Sequence, residues 1–117
     1  MLNAAVLLVN YRGSTGYGQR SIDSLLGNIG KNDVEDVMNA IKHVLKSSVV
    51  NIDKTNLFVV GGSHGGFLTG HLIGQYPTMF RAAAMRNPVT NIPPMVSTSD
   101  IPGYNIIQFN LIQFDLI

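Results

Sequence analysis

Leu57-Phe58-Val59-Val60 runs without a break into Gly61-Gly62-Ser63-His64-Gly65-Gly66, and Phe67 to Gln75 then reads as a helix stopped by Pro77. No other part of the chain constrains the fold as strongly. Four apolar residues between a polar link, Asn51 to Asn56, and a glycine cluster read as a short strand buried on both faces. A buried strand that turns at once into a helix is the repeating unit of a parallel sheet with crossover helices. Gly66, Gly70 and Gly74 recur every four residues and so share one face of that helix. Each costs up to ~1 kcal/mol of helix propensity relative to alanine, so close approach of a neighbouring backbone is expected along the glycine face.

The flanking segments extend the pattern. Ala4–Val9 are all apolar and are expected to form another strand buried on both faces, so the chain is expected to open inside an element. Arg12-Gly13-Ser14-Thr15-Gly16-Tyr17-Gly18 is a loop, and Ser21 to Leu26 is expected to be a short helix ended by Gly27. Val34, Val37, Met38, Ile41, Val44 and Leu45 form one apolar stripe and predict a helix from Val34 to about Ser47. Asn32 is its expected N-cap, with Glu35 three residues on, acids in the first turn and lysines in the last. Ala82 to Met85 is a further expected strand. Residues 101–117 carry one charge, Asp115, and nearly repeat themselves: Ile107-Gln108-Phe109-Asn110-Leu111, then Ile112-Gln113-Phe114-Asp115-Leu116. Such apolar, β-prone windows aggregate when exposed.

Composition removes several function classes. Eight Lys+Arg against seven Asp+Glu leave a net charge of +1, without the basic excess of a nucleic-acid binder. The absence of cysteine excludes a disulfide scaffold, thiolate metal sites and a Cys nucleophile. No apolar run reaches the ~18 residues of a membrane span, and the N-terminus lacks a basic n-region. No N-x-[ST] sequon occurs, and the expected location is the cytoplasm.

Gly61-Gly62-Ser63-His64-Gly65 matches G-x-S-x-G at a strand-to-helix junction, the setting of a nucleophile elbow. In that turn the serine is strained, and side chains two positions to either side would strike the strand and helix; Gly61 and Gly65 avoid this. The turn raises the Ser63 hydroxyl above the C-terminal edge of the sheet, at the positive end of the following helix. The backbone N–H of His64 is then one expected oxyanion donor. The structural alternative is a glycine-rich turn with no chemistry. A phosphate loop is excluded, because Phe67 and Leu68 stand where G-x-x-x-x-G-K-[ST] needs Lys and Ser or Thr. No G-x-G-x-x-G occurs either.

Val9-Asn10-Tyr11-Arg12-Gly13-Ser14-Thr15-Gly16-Tyr17-Gly18 and Gly61-Gly62-Ser63-His64-Gly65-Gly66-Phe67 together resemble the prolyl oligopeptidase family of serine peptidases, and within it the acylaminoacyl-peptidase branch. The likeness continues through Gly27-Asn28-Ile29-Gly30, Asp33-Val34-Glu35-Asp36-Val37, His71 to Pro77 and Arg86-Asn87-Pro88-Val89, and covers about residues 3–102. It implies an α/β chain with a partial α/β-hydrolase fold, truncated at both ends: a peptidase catalytic portion over 1–103 and a divergent apolar tail over 104–117. It implies release of an N-acylated, typically N-acetylated, residue from short peptides, with Ser63 as nucleophile. The loop after the first strand would supply a second oxyanion donor; Gly13 N–H is preferred, and the Tyr17 hydroxyl is its rival. The resemblance sets Arg12 and Tyr17 beside the substrate, although Arg12 reads first as a residue that ties the loop by hydrogen bonds. No metal or organic cofactor is implied, nor nucleic acid or membrane. The parent enzyme is expected to be a homo-oligomer.

The departures from the family pattern bear on activity. The triad order of this fold is Ser, Asp, His, with both partners well downstream of the elbow. After Ser63 the acids are Asp100 and Asp115 and the histidines are His64 and His71. His64 is part of the elbow, His71 lies two turns along its helix, and His43 sits on the solvated side of the earlier helix, so packing or surface roles are expected for all three. Asp100 matches a family segment that is not the triad acid. The triad Asp and His are therefore expected to be missing, which leaves Ser63 a weak nucleophile in this chain alone. Two other readings stand beside the peptidase: a non-catalytic truncated isoform that binds intact subunits through exposed sheet edges, and a small esterase using His64 or His71 as base.

Overall fold

The computed structural model describes residues 4–49, 51–91, 94–95 and 98. Within them the order is helix α1 (Gln19–Asp23), helix α2 (Asn32–Lys46), strand β1 (Phe58–Gly62), helix α3 (His64–Gln75) and strand β2 (Ala82–Arg86). β1 and β2 pair in parallel, with Phe58 opposite Ala82 and Gly62 opposite Arg86. α3 is the crossover between them, as expected for a parallel pair. The predicted tail over 104–117 lies outside the described residues.

α2 forms where the apolar stripe predicts it, and the stripe faces inward: Val34 and Met38 are buried, with Val37 and Ile41 packed beside them. α3 contributes Phe67, Leu68 and Leu72, and Val89 beyond β2 closes the cluster. Each such side chain, fully withdrawn from water, contributes about 2 kcal/mol. The core thus lies between α2 and α3, and α3 also covers one face of both strands. No helix among the described residues is long and apolar enough to cross a membrane.

Four local expectations change. The strand expected over Leu57–Val60 forms as β1, but it is not buried on both faces, since Phe58 and Val60 are exposed. Ala4–Val9 forms no strand, and Val6 and Leu8 are 82% and 86% exposed. A strand exists only by pairing, and among the described residues β1 and β2 pair only with each other. Asn32 does not cap α2; its amide donates to the carbonyl of Ser24 at 3.0 Å, and no side chain caps the helix from its N-cap position, Lys31. In the first turn Asn32 and Glu35 N–H donate to the carbonyls of Asn28 and Lys31, and Asp33 Oδ1 accepts from Val34 N–H at 3.0 Å and, reaching back before the helix, from Gly30 N–H at 2.8 Å. The short helix starts earlier than expected, at Gln19–Asp23, and is followed by turns to Gly27.

The glycine face of α3 is needed at one end only. A Cβ on Gly66 would lie 2.9 Å from the Cα and Cβ of Pro88, so the chain leaving β2 presses on the helix there. At Gly70 a Cβ would make ordinary contact with the Met85 sulfur, and at Gly74 it would meet nothing.

Candidate active site

β1 ends at Gly62 and α3 begins at His64, so Ser63 is the whole of the turn between them. Its backbone stands at φ 55°, ψ −121°, a positive-φ conformation rare for a residue with a Cβ. Surrounding hydrogen bonds over-determine it. Ser63 N–H donates to the carbonyl of Arg86 at 3.0 Å, which extends the ladder between the strands by one residue. Its carbonyl accepts from Gly66 and Phe67 N–H at 3.0 and 3.1 Å, which closes the first turn of α3. The side chain is thereby lifted off the sheet and left exposed. Among the described residues no group hydrogen-bonds the Ser63 hydroxyl, and none accepts from the His64 backbone N–H.

Gly61 explains how the turn can be this tight. A Cβ there would overlap the carbonyl group of Gly65 and lie 2.8 Å from Thr69 Oγ1. Gly65 itself has open space where a Cβ would stand, so the expected collision exists at position 61 and not at 65.

The loop expected to complete the oxyanion site is tied to α2. Arg12 Nε and Nη2 donate to Asp36 Oδ2 and Oδ1 at 2.8 and 2.7 Å, and Arg12 N–H donates to Oδ2 at 2.9 Å. Burial pushes the Asp36 carboxyl up, but the Arg12 donors and charge outweigh it and hold the group below the usual carboxylate range. The same hydrogen bonding raises Arg12 further. Gly13, at φ 96°, has its N–H on Ser21 Oγ at 3.4 Å. The Tyr17 hydroxyl accepts from the Asn10 amide at 2.8 Å and the ring is well exposed. Arg12 is therefore spent on the loop tie, while Gly13 and Tyr17 each already hold one hydrogen bond.

The histidines take three different places. His43 is exposed on α2. His71 packs on Phe67, ring centroids 4.3 Å apart, with Nδ1 3.2 Å from the Gln75 amide; burial pushes its pKa down. His64 lies between Tyr11 and Phe67, with ring centroids 5.6 and 5.3 Å away, and its Nε2 is 3.0 Å from Asp33 Oδ2. That pairing with Asp33 is what sequence reasoning misses, because the acid reads only as a first-turn charge. The usable signal is its place three residues after Gly30, from which an acid reaches back as in a capping box. Asp100 lies outside the described residues. Among those described, no group of three or more His, Asp and Glu could hold a metal ion.

The prolyl oligopeptidase family model matches residues 1–112. The chain belongs to the prolyl oligopeptidase family. It is 53% identical over 104 residues to the acylamino-acid-releasing enzyme of Homo sapiens, covering 89% of this chain and 14% of that protein. It is 54% identical over 103 residues to acylamino-acid-releasing enzyme 1 of Oryza sativa subsp. japonica, covering 88% and 13%. An uncharacterized peptidase of Bacillus subtilis (strain 168) is 38% identical over 107 residues, covering 92% of this chain and 16% of that one. The chain thus spans about one seventh of the length of the curated relatives it matches. Family membership fits the parallel pair, the crossover helix and the serine at their junction, a partial α/β-hydrolase arrangement.

Proposed function

We propose that Ser63 is the nucleophile of a serine peptidase that releases an N-acylated amino acid from short peptides, as the names of its acylamino-acid-releasing relatives describe. The observation that carries this reading is the backbone of Ser63, φ 55° and ψ −121°, at the strand-to-helix junction with its hydroxyl exposed. Strain of about 1–3 kcal/mol at one non-glycine residue persists where function requires it. The hydroxyl attacks the scissile carbonyl, the negative oxygen that develops is met by His64 N–H and a second donor, preferably Gly13 N–H, and the amine leaves to give an acyl-enzyme that water hydrolyses. For Gly13 to serve, Ser21 Oγ must release its long hydrogen bond to that N–H.

The proton of Ser63 needs a base, and His64 is committed to Asp33 while His71 faces Gln75 and Phe67. The reading therefore places the acid and base in a longer protein and makes this chain alone inactive. A fluorophosphonate probe tests it. The protein encoded by the complete transcript should be labelled, Ser63→Ala should abolish labelling, and the 117-residue chain should not react. Labelling that survives Ser63→Ala, or its absence from the longer protein, overturns the reading.

The second reading, a non-catalytic interaction piece, draws support from the exposed apolar side chains Val6, Leu8, Phe58 and Val60. It predicts that the 117-residue chain co-purifies with the longer protein when both are expressed together.

A further inference from the structure

Asp33 has no role in the attack described above, yet it is the one fully buried carboxylate among the described residues. Its two oxygens are divided between two tasks. Oδ1 accepts the N–H groups of Gly30 and Val34, and Oδ2 faces His64 Nε2 at 3.0 Å. An ionised carboxylate only accepts, so the ring nitrogen facing it is the donor. Facing an ionised Asp33, the ring would carry its proton on Nε2. Tyr11 and Phe67 flank the same ring, and its side chain is 18% exposed. The residue so clamped is the first of α3 and carries the proposed oxyanion N–H.

We infer that Asp33 is a positioning residue: it clamps the His64 imidazole as the Nε2–H form and so fixes the start of α3, and with it the His64 N–H, beneath the developing oxyanion. The inference rests on the peptidase reading of Ser63. The clamp spans 31 residues and joins the N-terminus of α2 to the elbow, which no backbone hydrogen bond among the described residues does. Misplacement of a reacting group by about 1 Å can cost on the order of 100-fold in rate, so such a tie acts on turnover more than on affinity.

Asp33→Asn separates this role from simple capping. The amide oxygen keeps the Gly30 and Val34 donors, so the end of α2 stays satisfied. The amide nitrogen then faces His64, and two donors cannot meet. The ring keeps this contact only by moving its proton to Nδ1, so that Nε2 accepts from the amide. His64→Gln, in contrast, retains a donor at the place of Nε2. In the double variant the glutamine amide introduced at position 64 can present its oxygen to the new donor.

The test is made on the protein encoded by the complete transcript, with 15N-labelled histidine. His64 is assigned by the loss of its signal in His64→Gln. The wild-type ring should show a protonated Nε2, and Asp33→Asn should reverse the pattern. Using an N-acetyl-alanine anilide, Asp33→Asn should lower kcat about tenfold with KM unchanged, and adding His64→Gln to Asp33→Asn should restore part of the lost kcat. Reactivity of the wild type with the fluorophosphonate is measured alongside. An unprotonated wild-type Nε2, or an unchanged ring pattern in Asp33→Asn, overturns the clamp whether or not the enzyme is active. A reversed pattern with unchanged kcat overturns the positioning role. Failure of the wild type itself to react overturns the peptidase reading, and the ring spectra tell that failure from one of the clamp. Should Asp33→Asn not fold, the wild-type spectrum still decides, and an unprotonated Nε2 there overturns the clamp.

Discussion

Arg12 grips Asp36 with two parallel hydrogen bonds of 2.8 and 2.7 Å, and the backbone N–H of Arg12 adds a third at 2.9 Å. One side chain thus fixes the glycine-rich loop to α2 across 24 residues. Both partners are partly solvated, which reduces the Coulombic gain, but the paired planar geometry resists screening better than a single contact. Arg12→Lys, which keeps the charge and loses the fork, is expected to cost about 1 kcal/mol, and Arg12→Ala about 2 kcal/mol. Urea denaturation measures both, and equal stability of Arg12→Lys and wild type would refute the fork.

The same pair sets an acid limit. Asp36 is held below its unfolded value, so its contribution is complete above about pH 4 and is lost as pH falls through the lowered folded pKa. Asp36→Asn should flatten the acid arm of a stability-against-pH curve and lower the plateau at neutral pH.

His71 works on a different window. Burial pushes its pKa down, so the folded state resists the proton that the unfolded chain accepts near pH 6.5. The unfolded state then binds more protons, and stability falls as pH drops from about 6.5 toward the lowered folded value. His71→Gln should remove that slope without changing stability at about pH 8 by more than about 1 kcal/mol. A slope that persists assigns it elsewhere.

Ser63 carries backbone strain that glycine would not. Ser63→Gly should therefore raise stability by about 1 kcal/mol and, under the proposed peptidase reading, abolish fluorophosphonate labelling of the longer protein. A drop in melting temperature for Ser63→Gly would deny that the turn is strained.

Glycine-to-alanine changes should separate the close approaches from the open positions. Gly61→Ala drives a methyl into the Gly65 carbonyl and is expected to cost about 3 kcal/mol or more. Gly66→Ala is similarly disfavoured by Pro88. Gly74→Ala, in open space on the same helix, should stabilise by up to about 1 kcal/mol. Thermal melts of the three variants check this order.

Much of this molecule can be read from local pattern. The apolar stripe of α2, the short strand before Gly61 and the serine turn each depend on period and on steric rules acting within a few residues, and such signals survive without the rest of the fold. Ala4–Val9 has the same apolar character as β1 but forms no strand, because pairing is supplied by another segment and not by the run itself. Likewise, equal glycine spacing along α3 hides unequal needs, since only Gly66 meets Pro88. The partners of charged groups are the least legible. Nothing local to Arg12 points to Asp36, and nothing local to His64 points to Asp33. Those pairs arise because packing α2 against α3 and the loop brings residues 24 and 31 positions apart to 2.8 and 3.0 Å, and a buried carboxylate must find donors wherever the fold provides them.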